Sequence, residues 1–246
     1  MNKKLYFVHI PKTAGNSIRT ALREHNLLTN PGYEKYQREH HFGSRNASRV
    51  LNSHLSFRTP TWPSYLDDPN FHKADFSFTV VRNPYDLLVS YYIHYIESPA
   101  KNWVDKGWAN VNGHHGFHSF EEFIRFYCTC DSNDWHVPSL NRNLFGQIFD
   151  DNNKSRVDYV VYYENLDEGL SLLTELSVGR KVSTSLPKRN ISERRNGREY
   201  QSFYTQELQQ LVHEKCRWEL TQFDYSFRPT TKNKVGLVET IKLMLE

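Results

Sequence analysis

The residues with the clearest chemistry lie near the start of the chain, in the segment PKTAGNS at positions 11–17. An apolar strand before it and a helix-like segment after it would place a turn at a helix start, where N–H groups and the helix dipole favour an anion. Pro11 would end the strand, Gly15 permits an unusual turn, and Ser17 is predicted as the helix N-cap. The candidate phosphate ligands are Lys12, Thr13, Ala14, Gly15, Asn16 and Ser17. The alternative is an ordinary strand-to-helix turn with a surface lysine.

A second segment, FTVVRNPYDLLVSYY at positions 78–92, repeats the order of strand and helix. Pro84 is predicted to open that helix, because its missing N–H group costs nothing at the first helical position. Ligands of open α/β sheets bind outside the carboxyl ends of the strands. Arg82 at the strand end and Ser90 about two helical turns later would therefore bind a second phosphate. The alternative for Arg82 is an ion pair with a carboxylate such as Asp86.

Together the two segments resemble the PAPS-dependent sulfotransferases, whose 5′-phosphosulfate loop typically reads PKTAGTS or PKTGGTS and whose 3′-phosphate motif reads RxPxxxxxSxY. This chain has PKTAGNS and RNPYDLLVSYY, and it departs at Asn16, where the family usually has threonine. The resemblance is closest to the branch of heparan 2-O-sulfotransferases and small bacterial sulfotransferases. It implies an α/β, P-loop-containing three-layer fold with a central, mainly parallel sheet flanked by helices. It also implies transfer of a sulfuryl group from PAPS to a hydroxyl or amine, with Lys12 stabilising the leaving phosphate of PAP and no metal required.

The resemblance extends to ASRVLNSHLSF, at positions 47–57 between the two motifs. The similar enzymes carry a GHxxF-like stretch there, and its histidine is the catalytic base; His54 takes that position, with Ser53 in place of the glycine. A neutral imidazole suits removal of a proton from an attacking hydroxyl or amine near pH 7. The alternatives are a strand-end histidine bonded to a carbonyl, or His9 as the base.

Basic residues are concentrated in the later part of the chain. From Arg180 to Glu199 there are seven Lys or Arg and two acidic residues. This region resembles the family's adenine-side loop, which implies that one or two of Ser192, Arg195 and Tyr200 reach the 3′-phosphate or the adenine. A closing helical segment is predicted for residues 204–246. Before this region, VDYVVYYENL at positions 157–166 indicates a buried strand and a helix that starts at Asn165 or Asp167.

Length allows one domain or two, and composition favours one α/β domain over residues 1–246, because no Pro/Gly/Ser-rich linker or repeat divides the chain. The resemblance implies that this is a single sulfotransferase domain. A net charge of +3 is too small to indicate nucleic-acid binding. No run of 18 apolar residues is present, so we expect no membrane anchor and a cytoplasmic enzyme. Two aromatic-rich stretches, residues 29–46 and 97–118, are predicted as acceptor-side loops; the alternative is surface loops held by aromatic anchors. The expected acceptor is a small molecule or a glycan.

Two other functions stay open from the sequence. A P-loop kinase would share an anion-binding turn, although the chain has no GxxxxGK[ST] motif and no evident Mg-binding aspartate at a strand end. A non-catalytic PAP-binding protein would keep Lys12 and Arg82 but would not need His54.

Overall fold

Short runs of β-branched and aromatic residues form the strands of this protein, as is usual for half-buried or buried sheets. The computed structural model describes residues 2–10, 12–29, 69–93, 117–129, 148, 155–180, 195, 197–228 and 237–239. The strands are β1 (Leu5–Val8), β2 (Phe76–Val81), β3 (Tyr159–Tyr162) and β4 (Leu237–Glu239). The helices are α1 (Gly15–Glu24), α2 (Pro84–Tyr91), α3 (Phe120–Thr129), α4 (Leu166–Val178), α5 (Gln206–Lys215) and α6 (Arg217–Gln222). Single 3₁₀ turns lie at Tyr163–Asn165 and Tyr200–Phe203.

The described strands form one sheet in the order β1-β2-β3-β4. The first three are parallel, with Val8 opposite Thr79 and Val81 opposite Tyr162, and β4 is antiparallel to β3. Because β1, β2 and β3 share a direction, their carboxyl ends lie at the same edge of the sheet. The predicted mainly parallel sheet is therefore confirmed, and both phosphate motifs follow strands that end at that edge.

Alternate residues of the strands belong to two separate core clusters, as the two-residue period of a strand requires. One cluster joins Leu5 and Phe7 to the buried sides of α1 and α4. The other joins Tyr6 and Val8 to the buried sides of α2, α3, α5 and α6. Helices therefore cover both faces of the sheet, which confirms the predicted helix–sheet–helix layers.

Two predicted boundaries of α2 and α4 are confirmed. Asn83 is the N-cap of α2, where its side chain accepts a hydrogen bond from the N–H of Tyr85, and Pro84 is the first helical residue. Asn165, one of the two predicted starts, is the N-cap of α4.

The C-terminal part departs from the helical segment predicted for residues 204–246. Thr205 caps α5, and the helical path is divided at Cys216 before α6 begins. Leu237–Glu239 is a strand, because its backbone pairs with the unpaired edge of β3. A helical expectation for those three residues is thus wrong.

Other expectations about the chain fall mostly on residues outside the described ranges. The acceptor-side stretches 29–46 and 97–118 are described only at residue 29 and at residues 117–118. Among the described helices, none is long and apolar enough to cross a membrane.

Candidate active site

Residues 12–17 form a tight turn that leads from β1 into α1. Lys12 has φ 65° and Ala14 has φ 63°, both in the left-handed region that side-chain-bearing residues seldom adopt. Ala14 is the N-cap of α1 and provides no side-chain cap, and Ile18 N–H bonds the carbonyl of Ala14 at 3.1 Å. The N–H groups before Ile18 are those that a helix start offers to an anion. The turn therefore has the backbone form that the sequence predicts for a phosphate cradle.

Two details of this turn differ from the sequence prediction. Ser17 is not the N-cap: it lies in the first turn of α1 and is buried, and Ala14 takes the capping position. Gly15 does not carry the unusual φ, which falls on Lys12 and Ala14 instead. Glycine is required at position 15 for space, because an added Cβ would lie 2.0 Å from Nε2 of His9.

The Thr13 side chain closes the turn from within. Its hydroxyl donates to the carbonyl of Ile10 at 2.7 Å, and the residue is fully buried. Thr13 was predicted to bind phosphate, but its hydroxyl hydrogen is donated within the loop to the Ile10 carbonyl. Asn16, the position that departs from the family pattern, is exposed, and its carbonyl accepts a bond from Thr20 at 2.9 Å.

Arg82 projects from the end of β2 and contacts both motifs. Its Nε and Nη2 donate to Oδ2 of Asp86 at 2.7 and 2.6 Å. Its Nη1 donates to the carbonyl of Lys12 at 2.8 Å, and its guanidinium lies 4.1 Å from the centre of the Tyr163 ring. The ion pair considered as an alternative is therefore present. The same side chain also holds the phosphate loop in place at Lys12.

Arg195 reaches the other oxygen of the same carboxylate. Its Nη1 donates to Oδ1 of Asp86 at 2.7 Å, and its Nε donates to the carbonyl of Arg198 at 2.6 Å. The Arg195 side chain is 26% exposed, compared with 7% for Arg82. The fold thus joins Arg195, a nucleotide-binding residue predicted in the later part of the chain, to the second motif. Arg195 is more accessible than Arg82.

Tyr200 lies beside this pair, in a buried position. Its hydroxyl donates to the carbonyl of Phe227, and the amide of Asn83 lies 3.4 Å from the same hydroxyl. Burial, then the charges of Asp86 and Glu164, raise the pKa of Tyr200 above its ordinary value. The hydroxyl therefore stays protonated: its hydrogen is donated to Phe227, and its oxygen accepts from Nδ2 of Asn83, which links the C-terminal segment to the second motif.

Ser90 lies one helical turn after Asp86, so the two residues share a face of α2. Of the eight residues in this helix, Ser90 is the one that is partly exposed. A small hydroxyl at the accessible point of an otherwise buried helix is suited to contact a ligand beside the two arginines.

Other candidates are placed differently. His54 and Ser192 lie outside the described residues. His9, the rival base, is half-buried; its ring lies against Gly15, with its centroid 5.5 Å from that of Phe7. Within the described ranges, no group of three or more His, Cys, Asp or Glu side chains is arranged to hold a metal ion.

Sequence reasoning missed the carboxylates that organise this edge. Asp86 appeared there only as an alternative partner for Arg82, and Glu164 was not considered. Oε1 of Glu164 accepts the N–H of Asn83 at 2.7 Å, which ties the end of β3 to the end of β2. The position of Glu164, two residues after the end of a strand, was the available signal.

The parallel sheet flanked by helices is consistent with the P-loop fold of sulfotransferases. The sequence pattern of the sulfotransferase family matches residues 1–226, and this chain belongs to that family. No curated protein matches the chain at a significant level. The matched range contains both motifs, and family membership implies a PAPS-dependent sulfotransferase with an acceptor substrate.

Proposed function

We propose that this sulfotransferase binds PAPS across the carboxyl edge of the sheet and transfers its sulfuryl group to a hydroxyl or amine of a small molecule or glycan. The observation that carries the proposal is the 2.8 Å hydrogen bond from Nη1 of Arg82 to the carbonyl of Lys12. This bond places two anion-binding features, a helix start and an arginine pair, side by side.

The donor set suits a nucleotide with two separate phosphate positions. The turn at residues 12–17 provides backbone N–H groups at the start of α1, and Lys12 provides a full charge. Arg82 and Arg195 provide guanidinium groups, which bind phosphate oxygens in a bidentate manner. A nucleotide with phosphate only on its 5′ side would need the first feature alone. PAP, with 5′- and 3′-phosphates, uses both.

Each group then has a distinct part in the reaction. The loop and Lys12 hold the 5′ side, and the Lys12 charge matters most as negative charge grows on the departing phosphate oxygen. Arg82, Arg195 and Ser90 hold the 3′-phosphate. Tyr200 fixes the wall beside them, because its hydroxyl bonds the Phe227 carbonyl.

The base and the acceptor site are proposed from the sequence resemblance. His54 accepts the proton of the attacking hydroxyl or amine, for which the neutral ring is required. Ser192 contributes a further contact to the nucleotide. The stretches 29–46 and 97–118 form the acceptor side. PAPS, when bound, supplies the activated sulfuryl group.

Binding of nucleotides to the purified protein tests the donor. We expect PAP to raise the melting temperature without added metal, since a ligand that binds the native state stabilises it. AMP, which lacks only the 3′-phosphate, should stabilise less than PAP. Equal stabilisation by ATP with magnesium and none by PAP would favour the P-loop kinase instead.

Turnover tests whether the protein is an enzyme of this chemistry. The protein is incubated with PAPS and a panel of hydroxyl- and amine-bearing acceptors, and products are detected by the mass gain of one sulfo group. A product with any acceptor class supports the proposal and identifies that class. PAP binding without product across small-molecule and glycan panels would favour the non-catalytic PAP-binding protein.

His54→Ala tests the base. We expect PAP affinity to be nearly unchanged and turnover to fall by roughly 10²–10⁴-fold, the usual contribution of a positioned base. The wild-type rate should rise with pH through one ionisation near ~6.5, because only the neutral ring accepts a proton. His72→Ala, which changes an exposed histidine, is the matched control. Loss of activity in His9→Ala with full activity in His54→Ala would assign the base to His9.

A further inference from the structure

The Asp86 carboxylate lies between two guanidinium groups. Its Oδ2 accepts from Nε and Nη2 of Arg82 at 2.7 and 2.6 Å, and its Oδ1 accepts from Nη1 of Arg195 at 2.7 Å. The two arginines are far apart in sequence, since Arg195 follows Asp86 by 109 residues. Asp86 itself is held by the first turn of α2, and its side chain is 13% exposed. One carboxylate therefore joins the two guanidinium groups and contributes to the orientation of both.

The bonds to Asp86 leave some N–H groups of each guanidinium for a ligand. A guanidinium has five N–H hydrogens. Among the described residues, Arg82 uses three of them on Asp86 and Lys12, and Arg195 uses two on Asp86 and the Arg198 carbonyl. In each arginine, Nη2 retains at least one hydrogen that these bonds do not use. These hydrogens are the ones that a phosphate oxygen would accept.

The charges explain why a carboxylate is needed here. Two guanidiniums held close together repel each other, and Asp86 between them reduces their joint charge from +2 to +1. Replacing the carboxylate by an amide would raise the local positive charge, but the amide keeps one acceptor oxygen and turns an NH₂ group toward the other guanidinium, so at most one of the two arginines keeps its bond to residue 86. Bidentate phosphate binding depends on fork orientation, and solvent and salt screen the gain in charge at the partly exposed Arg195. Orientation is therefore the larger effect.

We propose that Asp86 is the positioning residue that makes the nucleotide site selective for a 3′-phosphate, because it holds Arg82 and Arg195 in the orientation that binds this group. The inference rests on the proposed function, namely that PAPS and PAP bind at this edge. Asp86 acts through the two arginines and does not itself contact the nucleotide.

The test compares PAP with AMP by calorimetry, using wild-type protein and Asp86→Asn. These ligands differ only in the 3′-phosphate, so their affinity ratio reports on that contact alone. We expect the preference for PAP over AMP to fall by about 10- to 100-fold in Asp86→Asn, the range for lost hydrogen bonds to charged groups. AMP affinity should change little. A general loss of structure would weaken both ligands equally and leave the ratio unchanged.

Asp167→Asn is the matched control, because Asp167 is an exposed acid in the first turn of another helix, α4. It makes the same chemical change and should keep the wild-type ratio. Asp86→Glu retains a carboxylate and should recover part of the preference. Arg195→Gln should lower the ratio by itself, and adding Asp86→Asn to it should lower the ratio by less than Asp86→Asn does alone.

The outcomes separate this inference from the proposed function. A wild-type protein without preference for PAP over AMP would overturn the proposed function, and this inference with it. A clear wild-type preference that persists in Asp86→Asn would overturn the role of Asp86 alone. If Asp86→Asn does not fold, Asp86→Glu decides: a ratio below that of the wild type supports the role of Asp86, and a wild-type ratio overturns it.

Discussion

The two phosphate motifs of this sulfotransferase obtain their shape in different ways. The first is shaped mainly by its own backbone: Lys12 and Ala14 have positive φ, and the Thr13 hydroxyl bonds Ile10 three residues earlier. The second depends on distant partners as well as a local one. Arg82 pairs with Asp86 in the same motif, but it is also held by the carbonyl of Lys12 and by the ring of Tyr163, which lie in two other parts of the chain. A local motif can be interpreted by itself, whereas a motif held by tertiary contacts cannot.

The comparison also shows that the motifs are not independent. Arg82 of the second motif donates a hydrogen bond to the Lys12 carbonyl of the first motif. A change at Arg82 should therefore affect both phosphate positions, while a change confined to the loop should affect the 5′ side. The following variants test that asymmetry.

Arg82→Ala should have the largest effect, because it breaks a buried ion pair and removes the support of the loop. Breaking such a pair typically costs roughly 3–5 kcal/mol of stability. We expect a loss at the lower end of this range, because Arg195 would still pair with the Asp86 carboxylate. PAP and AMP should both bind more weakly, PAP the more so. Urea unfolding and calorimetry measure the two effects.

Arg125→Ala is the contrasting control for Arg82→Ala. Arg125 also pairs with carboxylates, Glu121 and Glu207, but on the exposed surface of α3 and α5. Surface pairs contribute little, so its unfolding free energy should stay close to that of the wild type. An equally small effect of Arg82→Ala would show that the second motif does not depend on this pair.

Lys12→Ala should act on chemistry more than on folding. Lys12 is half-buried, and loss of one group that stabilises developing charge lowers turnover by roughly 10²–10³-fold. PAP affinity should change less than the rate, and the melting temperature should change little. Lys73→Ala, an exposed lysine before β2, is the control. Wild-type turnover in Lys12→Ala would remove this lysine from the mechanism.

Gly15→Ala should disturb the first motif alone. The new Cβ would lie 2.0 Å from Nε2 of His9, and forcing an extra carbon into a packed site costs roughly 1–3 kcal/mol. PAP and AMP should weaken by similar factors, because both use the 5′ loop. The double variant His9→Ala/Gly15→Ala removes the ring and should recover stability. Failure of that recovery would contradict a steric requirement at position 15.

The smallest effect is expected from the exposed pair of Arg125 with Glu207. Hydrogen bonds from Arg125, and then its charge, lower the pKa of Glu207 below 4.5. A lowered carboxyl pKa means that the pair contributes stability above the ordinary carboxyl pKa and loses it as pH falls through the lowered value. The difference in melting temperature between wild type and Glu207→Gln should therefore be slight at neutral pH and vanish in acid. A difference in melting temperature that grows as the pH falls would contradict the lowered pKa of Glu207.

Much of the framework could be predicted because its signals are local. Apolar runs predicted β1, β2 and β3, and Pro84 and Asn165 indicated the starts of two helices that the structure confirms. The prediction for the N-cap of α1 is wrong because sequence preference favours serine, whereas the left-handed backbone at Ala14 begins the helix three residues earlier, without a side-chain cap. The strand at Leu237–Glu239 was missed because only the open edge of β3 makes that conformation favourable.

By itself, the sequence determined the two motifs, their order and their positions after parallel strands, because short-range preferences of Pro, Gly, Asn and apolar residues are sufficient for that. Only the tertiary structure decided which groups meet: Arg82 with the Lys12 carbonyl, and Arg195 with the same Asp86 carboxylate as Arg82. The physical reason is that a charged side chain at a strand end can pair with several partners. The choice among them follows from burial and from which distant segments the sheet brings to its carboxyl edge.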